Sequence, residues 1–521
     1  MSCIEITDVL RCINPATGEL LGNVRITTPE EVHDAVARAR RVFPEWAQSS
    51  FAERRRIILN VRQRILGQIE EIATLITMET GKPKVEALSC DIIPALEAIT
   101  FFARKAERIL KPQRIGLGKY HLLGRTSFLR FHPLGVIGII APWNFPLGIP
   151  LSQIVMALMA GNVVVLKPSE HTPLVGFLIG ELFRTAGLPE GVLTLLQGDG
   201  STGAALVEAG VDKIIFTGSV ATGKKVAAAA ARTLTPVILE LGGKDPMIVL
   251  KDADLEAAAS AAVWGAFCNS GQVCASVERC YVDETIADQF IAKVVEKTRR
   301  LRQGSPDDPD VDVGAMISEG QLRLVQQHVD EAVRRGAIVL CGGERNRARE
   351  GFFYQPTVLT DVDLEATLLR EETFGPVLPI IPFRTEEEAL RWANDSPYGL
   401  TASIWTKDIE RAKKLAARIE AGTVMINECT YTYALAQTPW GGIKSSGIGI
   451  THSPLGLREL VRLEHVHINR FPRLKDFWWY GYSEEVYRLF IALARYFTSP
   501  SLIEKIRALP WLLRGLRLKK Y

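Results

Sequence analysis

Four short apolar runs, each followed by a helical stretch, decide the fold class of this chain. They lie at residues 136–141, 162–166, 192–196 and 213–217 and have the length and composition of buried strands. The order strand, helix, strand, helix predicts an α/β fold with a parallel, doubly wound sheet. Ligands bind such sheets at the carboxyl ends of the strands, and the motifs of this sequence follow those ends.

The length and composition favour a multidomain enzyme. The chain has 521 residues, 47% of them apolar and 23% charged, and a second α/β unit is predicted at residues 243–437. Its eight cysteines are scattered, without a CxxC pair or a His/Cys ligand spacing, so neither a disulfide framework nor a metal site is predicted. The N-terminus lacks the pattern of a signal peptide. We therefore expect a cytoplasmic protein.

The basic charge of the chain is concentrated in its last residues. Residues 471–521 hold ten Lys and Arg against four acids, a net charge of +6, within a chain whose net charge is +3. The sequence therefore does not predict a nucleic-acid-binding protein. From residue 501 onward, apolar and basic residues have roughly helical spacing. Beside a plain solvated tail, two interpretations stay open: this amphipathic helix lies peripherally on a membrane surface, or it docks on its own or a neighbouring subunit and covers the mouth of the substrate tunnel.

Three motifs supply a thiol, a carboxylate and a side-chain amide. Cys274 ends the motif NSGQVC, Glu240 opens ELGGK after an apolar run, and Asn144 lies between two prolines in PWNFP. A thiolate attacks carbonyl carbons, provided that the site lowers its pKa or places a base nearby. A carboxylate beside apolar walls has a raised pKa, which suits a general base. An amide N–H stabilises an oxyanion.

Each of these residues taken alone has a commoner structural role, as a buried Cys, a capping Glu or a turn Asn. Their order along the chain resembles the aldehyde dehydrogenase superfamily over about residues 13–469. The resemblance implies that Cys274 is the nucleophile, that Glu240 is the general base, and that Asn144 and the backbone N–H of Cys274 hold the oxyanion.

The resemblance also implies a domain organisation. We expect a Rossmann-type cofactor-binding domain, a second α/β catalytic domain, and a small β arm that makes the protein a homodimer or homotetramer. A C-terminal extension follows, to which the resemblance does not reach. The expected boundaries are residues 1–117 with 136–242 for the cofactor-binding domain, 243–437 for the catalytic domain, 118–135 with 438–470 for the arm, and 471–521 for the extension.

The motif GSVATG at residues 218–223 follows a predicted strand and opens a helix, where backbone N–H groups can hold a pyrophosphate. It departs from GxGxxG, but it is the variant of the family that the chain resembles. Glu170 is predicted to bond the adenosine ribose and to repel a 2′-phosphate, which favours NAD over NADP and leaves NADP open. The predicted cofactor-binding residues are Trp143, Lys167, Ser169, Glu170, Gly218, Ser219, Gly223, Leu241, Glu372 and Phe374.

These parts predict oxidation of an aldehyde to a carboxylic acid through a thioester that water hydrolyses. The alternatives are transfer of the acyl group to coenzyme A, which Glu240 argues against, and a scaffold without activity. Three aromatic residues are expected to line the substrate tunnel and to favour medium-chain, long-chain or aromatic aldehydes: Tyr431, Tyr433 and Trp440. Their loop has no Arg or Lys to bind a second carboxylate, which disfavours a semialdehyde substrate.

Overall fold

The structure is a computed structural model, and it describes residues 9–471, 476 and 478–515. The described residues fall into two compact units. The first contains the residues up to Lys111 together with Phe131–Arg462, and the second contains Pro112–Arg130 together with the described residues from Leu463 onward. The domain boundaries expected from the sequence stay a prediction.

The strands are short, and the helices between them are mostly longer. In chain order the strands are β1 (Val9–Ile13), β2 (Leu20–Arg25), β3 (Gln113–Ile115), β4 (Arg125–Pro133), β5 (Val136–Ile140), β6 (Val163–Lys167), β7 (Leu193–Leu195), β8 (Lys213–Thr217), β9 (Val237–Glu240), β10 (Asp245–Val249), β11 (Val277–Asp283), β12 (Ile338–Cys341), β13 (Thr357–Thr360), β14 (Val377–Phe383), β15 (Thr401–Trp405), β16 (Thr423–Ile426), β17 (Gly447–Ile448) and β18 (Val461–Asn469).

The helices are α1 (Pro29–Gln48), α2 (Phe51–Gly67), α3 (Ile69–Thr80), α4 (Lys84–Glu86), α5 (Ile93–Leu110), α6 (Gly148–Met159), α7 (Pro173–Thr185), α8 (Gly200–Glu208), α9 (Val220–Ala231), α10 (Leu255–Phe267), α11 (Ala287–Arg299), α12 (Glu319–Arg334), α13 (Thr367–Arg370), α14 (Glu386–Asn394), α15 (Ile409–Ala416), α16 (Ser453–Arg458), α17 (Glu484–Thr498) and α18 (Leu502–Gly515). A π-helical segment, Ala87–Ile92, joins α4 to α5.

The first large sheet has the order β17-β9-β8-β5-β6-β7, and all of its strands are parallel except β17. The residues of β5 and β6 are buried throughout, as expected of parallel strands that helices cover on both faces. The four strands predicted from the apolar runs are β5, β6, β7 and β8, so this prediction is confirmed. The carboxyl ends of β5, β6, β8 and β9 meet at one edge.

The second large sheet has the order β12-β13-β14-β11-β10-β15-β16 and is parallel except for β12. Only four residues separate β9 from β10, so the chain passes directly from the first sheet into the second at the ELGGK motif. Glu240 therefore ends a strand of one sheet, and Asp245 begins a strand of the other. The two sheets confirm the predicted α/β fold class.

The second compact unit holds a three-stranded sheet of order β18-β4-β3 and the helices α17 and α18. Before β4, Gly118–Leu123 forms a 3-10 helix. The described part of the predicted amphipathic helix is α18, whereas Leu516, Arg517, Lys519 and Lys520 lie outside the described residues. Within the described residues, no helix is long and apolar enough to cross a bilayer.

Candidate active site

Cys274 follows a tight loop that begins where α10 ends. Asn269, Ser270 and Gly271 have φ angles of +51°, +55° and +72°, a left-handed conformation that costs a residue with a side chain about 1–2 kcal/mol. Buried hydrogen bonds hold the loop in this conformation. The Glu86 carboxylate accepts from the backbone N–H of Asn269 at 3.0 Å, and Ser270 Oγ donates to a backbone carbonyl at 3.0 Å. The loop therefore presents Cys274 from a fixed backbone.

Asn144 follows β5 and is buried beside this loop. Its Nδ2 donates to the carbonyl of Gln272 at 3.0 Å, and its own carbonyl accepts from Lys82 Nζ at 2.5 Å. Lys82 is itself buried and forms an ion pair with Asp91 at 3.6 Å. An amide nitrogen carries two hydrogens, so the bond to Gln272 leaves one for a further acceptor. The backbone of Asn144 is thus anchored by a buried charge.

Glu240 ends β9, and its side chain lies beside those of Thr451 and Trp440. Its Oε1 accepts from Thr451 Oγ1 at 3.2 Å, whereas Oε2 is buried and has no hydrogen-bond partner among the described residues. Burial raises the pKa of Glu240 well above its usual value. A buried carboxylate oxygen without a partner is costly, because its desolvation is not repaid. Such a group is a strong base once it is ionised.

The Cys274 thiol lies in an environment that disfavours its ionisation. Burial, followed by the carboxylates of Asp245, Glu372 and Glu240, raises the pKa of Cys274 above its ordinary value. The sequence analysis required either a lowered thiol pKa or a nearby base. A carboxyl group is available near the thiol, because Glu240 lines the same cavity as Cys274.

The GSVATG motif forms the N-terminus of α9. Ser219 caps the helix, and its Oγ accepts from the backbone N–H of Thr222 at 3.3 Å. A Cβ on Gly223 would lie 2.5 Å from the Leu241 side chain, and a Cβ on Gly218 would lie 2.6 Å from the Phe216 ring. The glycines therefore keep the helix N-terminus close to the sheet, and the partial positive charge at this end of α9 suits an anion.

A second acidic motif, EETFGP at residues 371–376, is held by a buried ion pair. Glu278 accepts from the backbone N–H groups of Thr373 at 2.8 Å and Phe374 at 3.0 Å, and it pairs with Lys244. Phe374 has a φ of +51° and its ring meets Trp143 edge-on at 5.4 Å. This network fixes the segment that contains Glu372 and Phe374.

Glu372 contacts the ELGGK motif within this arrangement. Its Oε1 accepts from the backbone N–H of Gly243 at 3.2 Å. Burial, reinforced by the Glu278 carboxylate, raises the pKa of Glu372 to about 8. Glu372 is therefore largely protonated at neutral pH and can act as a hydrogen-bond donor as well as an acceptor.

Eleven of the predicted residues surround one cavity of about 640 Å³, a size suited to a small molecule. They are Trp143, Asn144, Gly218, Ser219, Glu240, Leu241, Cys274, Glu372, Phe374, Tyr433 and Trp440. The rings of Tyr433 and Trp440 meet edge-on at 5.1 Å. The basic side chain in the lining, Arg370, already bonds Asp395 at 2.9 Å and pairs with Glu365.

Lys167, Ser169 and Glu170 do not line this cavity and lie instead at the end of β6. Lys167 Nζ and Glu170 Oε2 form an ion pair at 2.9 Å. Burial raises the pKa of Glu170, but the Lys167 ammonium, hydrogen bonds to the carboxylate and His171 together outweigh burial, so the pKa of Glu170 is lowered. Because β6 is parallel to β5, these residues extend the edge of the sheet that carries Asn144.

Gly223 and Tyr431 are also outside the cavity lining. Gly223 lies one turn inside α9, against Leu241. Tyr431 begins a 3-10 helix, Tyr431–Ala434, and is 50% exposed. With three residues per turn, side chains two positions apart point in different directions, so Tyr433 reaches the cavity and Tyr431 does not.

Sequence reasoning missed the side chains that hold the predicted ones in place. Lys82 supports Asn144, Thr451 bonds Glu240, and the pair of Glu278 and Lys244 fixes the second acidic motif. Lys244 was visible inside the ELGGK motif, but nothing local marks the partner of a buried charge.

Comparisons with known proteins agree with this geometry. The Aldehyde dehydrogenase family model matches residues 5–466. The chain is 38% identical to the 4,4'-diapolycopene aldehyde oxidase of a Methylomonas species, over 92% of this chain and 90% of that protein. It is 40% identical to the betaine aldehyde dehydrogenase of Sinorhizobium fredii, over 88% of this chain and 94% of that protein. The NAD+ complex of an aldehyde dehydrogenase from Bacillus cereus is 36% identical and superposes with a TM-score of 0.85, over 89% of this chain and 93% of that one.

Proposed function

The chain belongs to the aldehyde dehydrogenase family, and we propose that it oxidises a medium-chain, long-chain or aromatic aldehyde to the carboxylic acid through a Cys274 thioester. The family and its relatives make it an NAD-dependent aldehyde dehydrogenase. The observation that carries the proposal is that Cys274, Glu240 and Asn144 line one cavity with aromatic walls.

NAD, when bound, accepts the hydride from the carbon that Cys274 has attacked. The chain has places for it: an N-terminus of α9 that glycines keep close to the sheet, and an ionised Glu170 at the adjoining strand end. We assign the pyrophosphate to the Ser219 turn, the adenosine ribose to Glu170, and the nicotinamide ribose to Glu372. An ionised Glu170 favours NAD, and NADP is the alternative.

The chemistry on the protein begins with proton transfer. Glu240 takes the Cys274 proton, and the thiolate adds to the aldehyde carbon. The second hydrogen on Asn144 Nδ2 is free to bond the new oxyanion, a type of contact that is worth about 3 kcal/mol in the transition state. After hydride loss an acyl thioester remains on Cys274. Glu240 releases its first proton to solvent and then takes a proton from water, the hydroxide adds to the thioester, and the Cys274 thiolate leaves.

The lining of the cavity supports an uncharged substrate. Tyr433 and Trp440 supply apolar surface, and the acidic residues of the lining offer no positive charge to a second carboxylate on the substrate. Arg370 is already paired with Glu365 and Asp395 and is not free to bind one. The Methylomonas relative is named as an oxidase of 4,4'-diapolycopene aldehyde. A dicarboxylic semialdehyde is the weaker candidate.

A second candidate substrate is an aldehyde with a quaternary ammonium group. Aromatic faces attract such cations, and Tyr433 and Trp440 lie beside carboxylates in the same cavity. Betaine aldehyde tests this candidate, and one relative is named for it.

The test is NADH formation without coenzyme A, over straight-chain aldehydes of increasing length, benzaldehyde, betaine aldehyde and succinic semialdehyde. We expect kcat/KM to rise with chain length, with the carboxylic acid as product and no turnover by Cys274→Ala. A preference for betaine aldehyde would select the second candidate. A requirement for coenzyme A, with an acyl-CoA product, would overturn the hydrolytic mechanism.

We further propose that the chain forms a homodimer or homotetramer through its three-stranded sheet. β3 and β18 are the edges of this sheet, and exposed strand edges tend to pair. Leu463 on β18 is 57% exposed, as expected of a side chain that a second subunit would cover. Light scattering on the wild type and on Leu463→Glu tests the proposal, and a wild-type monomer would overturn it.

For the C-terminal extension, both interpretations are kept as proposals. α18 exposes Leu502, Ile503, Ile506 and Leu513, of which Leu502 is 70% exposed. Flotation of the full chain with anionic vesicles tests contact with a membrane surface. A changed preference for aldehyde length in Ile503→Asp/Ile506→Asp, without any flotation of the wild type, would favour a cover over the tunnel.

A further inference from the structure

Two cysteines outside the proposed mechanism face each other beside the nucleophile loop. Cys90 lies in the π-helical segment between α4 and α5, and Cys268 is the first residue after α10. Their Sγ atoms are 3.9 Å apart. A disulfide needs about 2 Å between the sulfurs, so rotation of the two side chains has roughly 2 Å to close.

The backbones that carry the two thiols are already tied together. Glu86 lies four residues before Cys90, and Asn269 follows Cys268 directly. Both oxygens of the Glu86 carboxylate accept from the backbone N–H of Asn269 at 3.0 Å. This clamp keeps the two sulfurs opposite each other without a covalent bond. A π-helical turn is an uncommon conformation that is frequent at functional sites.

From this geometry we propose that Cys90 and Cys268 are an oxidisable dithiol, which a peroxide converts to a disulfide that reversibly inactivates the enzyme. The pair is distinct from the proposed nucleophile Cys274. The inactivation rests on the proposed function, whereas the existence of the disulfide does not.

The two thiols differ in accessibility and in reactivity. Cys90 is partly exposed, and Cys268 is 4% exposed. The hydrogen bond from the Cys268 thiol lowers the pKa of Cys90, with help from Ser89 Oγ at 3.5 Å and from the Lys82 ammonium, although burial and Asp91 act against it. A peroxide therefore meets a reactive thiolate at Cys90, because the thiolate is the nucleophilic form.

The chemistry balances with hydrogen peroxide as the oxidant. The Cys90 thiolate attacks a peroxide oxygen, the O–O bond breaks, and hydroxide leaves, which gives a sulfenic acid. The Cys268 sulfur then attacks the Cys90 sulfur, the S–S bond forms, and the S–O bond breaks. The thiol proton of Cys268 leaves with the departing oxygen as water. The hydroxide takes up the proton that Cys90 lost on ionisation, so two thiols lose two electrons and one peroxide becomes two waters.

The disulfide would act on catalysis through the loop that it constrains. Cys268 begins the left-handed turn that leads to Cys274, and Cys90 packs on the same apolar cluster as Cys274 and Tyr433. Drawing Cys268 towards Cys90 displaces this turn. A misplacement of about 1 Å at reacting atoms can lower a rate about 10²-fold. We therefore expect the oxidised enzyme to be inactive and reduction by dithiothreitol to restore it.

The first experiment maps the bond without measuring activity. The reduced full-length protein is treated with hydrogen peroxide, alkylated, digested with trypsin and examined by mass spectrometry. The tryptic peptide that contains Cys268 also contains Cys274, so the assignment uses variants. We expect a cross-linked peptide in the wild type and in Cys274→Ser, and none in Cys268→Ser or Cys90→Ser. A peptide that survives in Cys268→Ser but not in Cys274→Ser would overturn the pairing, and so would the absence of any cross-link.

The second experiment follows aldehyde oxidation before and after peroxide. We expect Cys90→Ser and Cys268→Ser to match the untreated wild type and to lose the inactivation that dithiothreitol reverses. Cys341→Ser, which alters another partly exposed thiol, is the matched control and should behave as the wild type. A wild type that forms the cross-link but keeps its full rate would overturn the regulatory part of the proposal alone. An enzyme inactive before treatment would count against the proposed function, not against the disulfide.

Discussion

Two buried carboxylates close to the ELGGK motif are used in opposite ways. Glu278 on β11 accepts two backbone N–H groups and pairs with Lys244, so both of its oxygens are engaged. Glu240 at the end of β9 accepts from Thr451 at 3.2 Å and lies beside Trp440, and one of its oxygens has no hydrogen-bond partner among the described residues. A carboxylate whose two oxygens are both bonded fixes the structure around it, whereas a carboxylate with an unbonded oxygen can exchange protons. Partner count, more than burial, separates the two.

The largest effect on the rate is expected at Glu240. Glu240→Gln should lower kcat by about 10²–10⁴-fold, because an amide cannot take a proton from thiol or water. Its thermal midpoint should be equal to or above that of the wild type, since the change removes a buried group without a full set of partners. Steady-state kinetics and calorimetry measure the two effects. A variant with nearly the wild-type kcat would remove Glu240 from the role of base.

Glu278→Gln should instead lower mainly the stability of the protein. Loss of one partner from a buried ion pair costs about 3–5 kcal/mol, here because the Lys244 ammonium is left unpaired. Urea unfolding measures the loss, and Glu278→Gln/Lys244→Met should recover part of it. Equal stability of the wild type and Glu278→Gln would mean that the comparison between the two carboxylates does not hold.

A smaller loss is expected when the support of Asn144 is removed. Lys82→Met removes the ammonium from the Asn144 carbonyl. It also leaves Asp91 without its ion-pair partner. We expect kcat to fall about tenfold, less than the effect of removing an oxyanion donor. Asn144→Ala/Lys82→Met should be no slower than Asn144→Ala if Lys82 acts through Asn144. Additive losses in this double-mutant cycle would give Lys82 a separate role.

The pH dependence of the rate tests the raised pKa of Glu240. The base works when it is ionised, and burial raises its pKa, so activity should increase with pH through a value above that of an ordinary carboxyl group. Below that value kcat/KM should fall about tenfold per pH unit. The residual activity of Glu240→Gln should not show this fall at low pH. A fall in kcat/KM centred at the pKa of an exposed glutamate would contradict the buried environment of Glu240.

The sequence predicted the large parts of this molecule and missed the contacts that hold them. Strands β5, β6, β7 and β8 followed from apolar runs, because burial on both faces leaves a local signature. The support of Asn144 by Lys82 joins residues 62 positions apart, and such pairs leave no local pattern. The difference between Tyr431 and Tyr433 depends on the pitch of one short turn. Local spacing therefore predicts elements and reactive residues, but not their partners.

The smallest effect is expected at a third carboxylate, which is neither fully buried nor without partners. The Glu170 side chain is 40% exposed and pairs with Lys167. Glu170→Gln should raise kcat/KM for NADP and lower it for NAD, each by a few-fold, because it removes the charge that repels a 2′-phosphate. Glu181→Gln on α7, which alters an exposed glutamate paired with Arg184, is the control and should leave the ratio of the two cofactors unchanged. An unchanged ratio in Glu170→Gln would assign the preference for NAD to other residues.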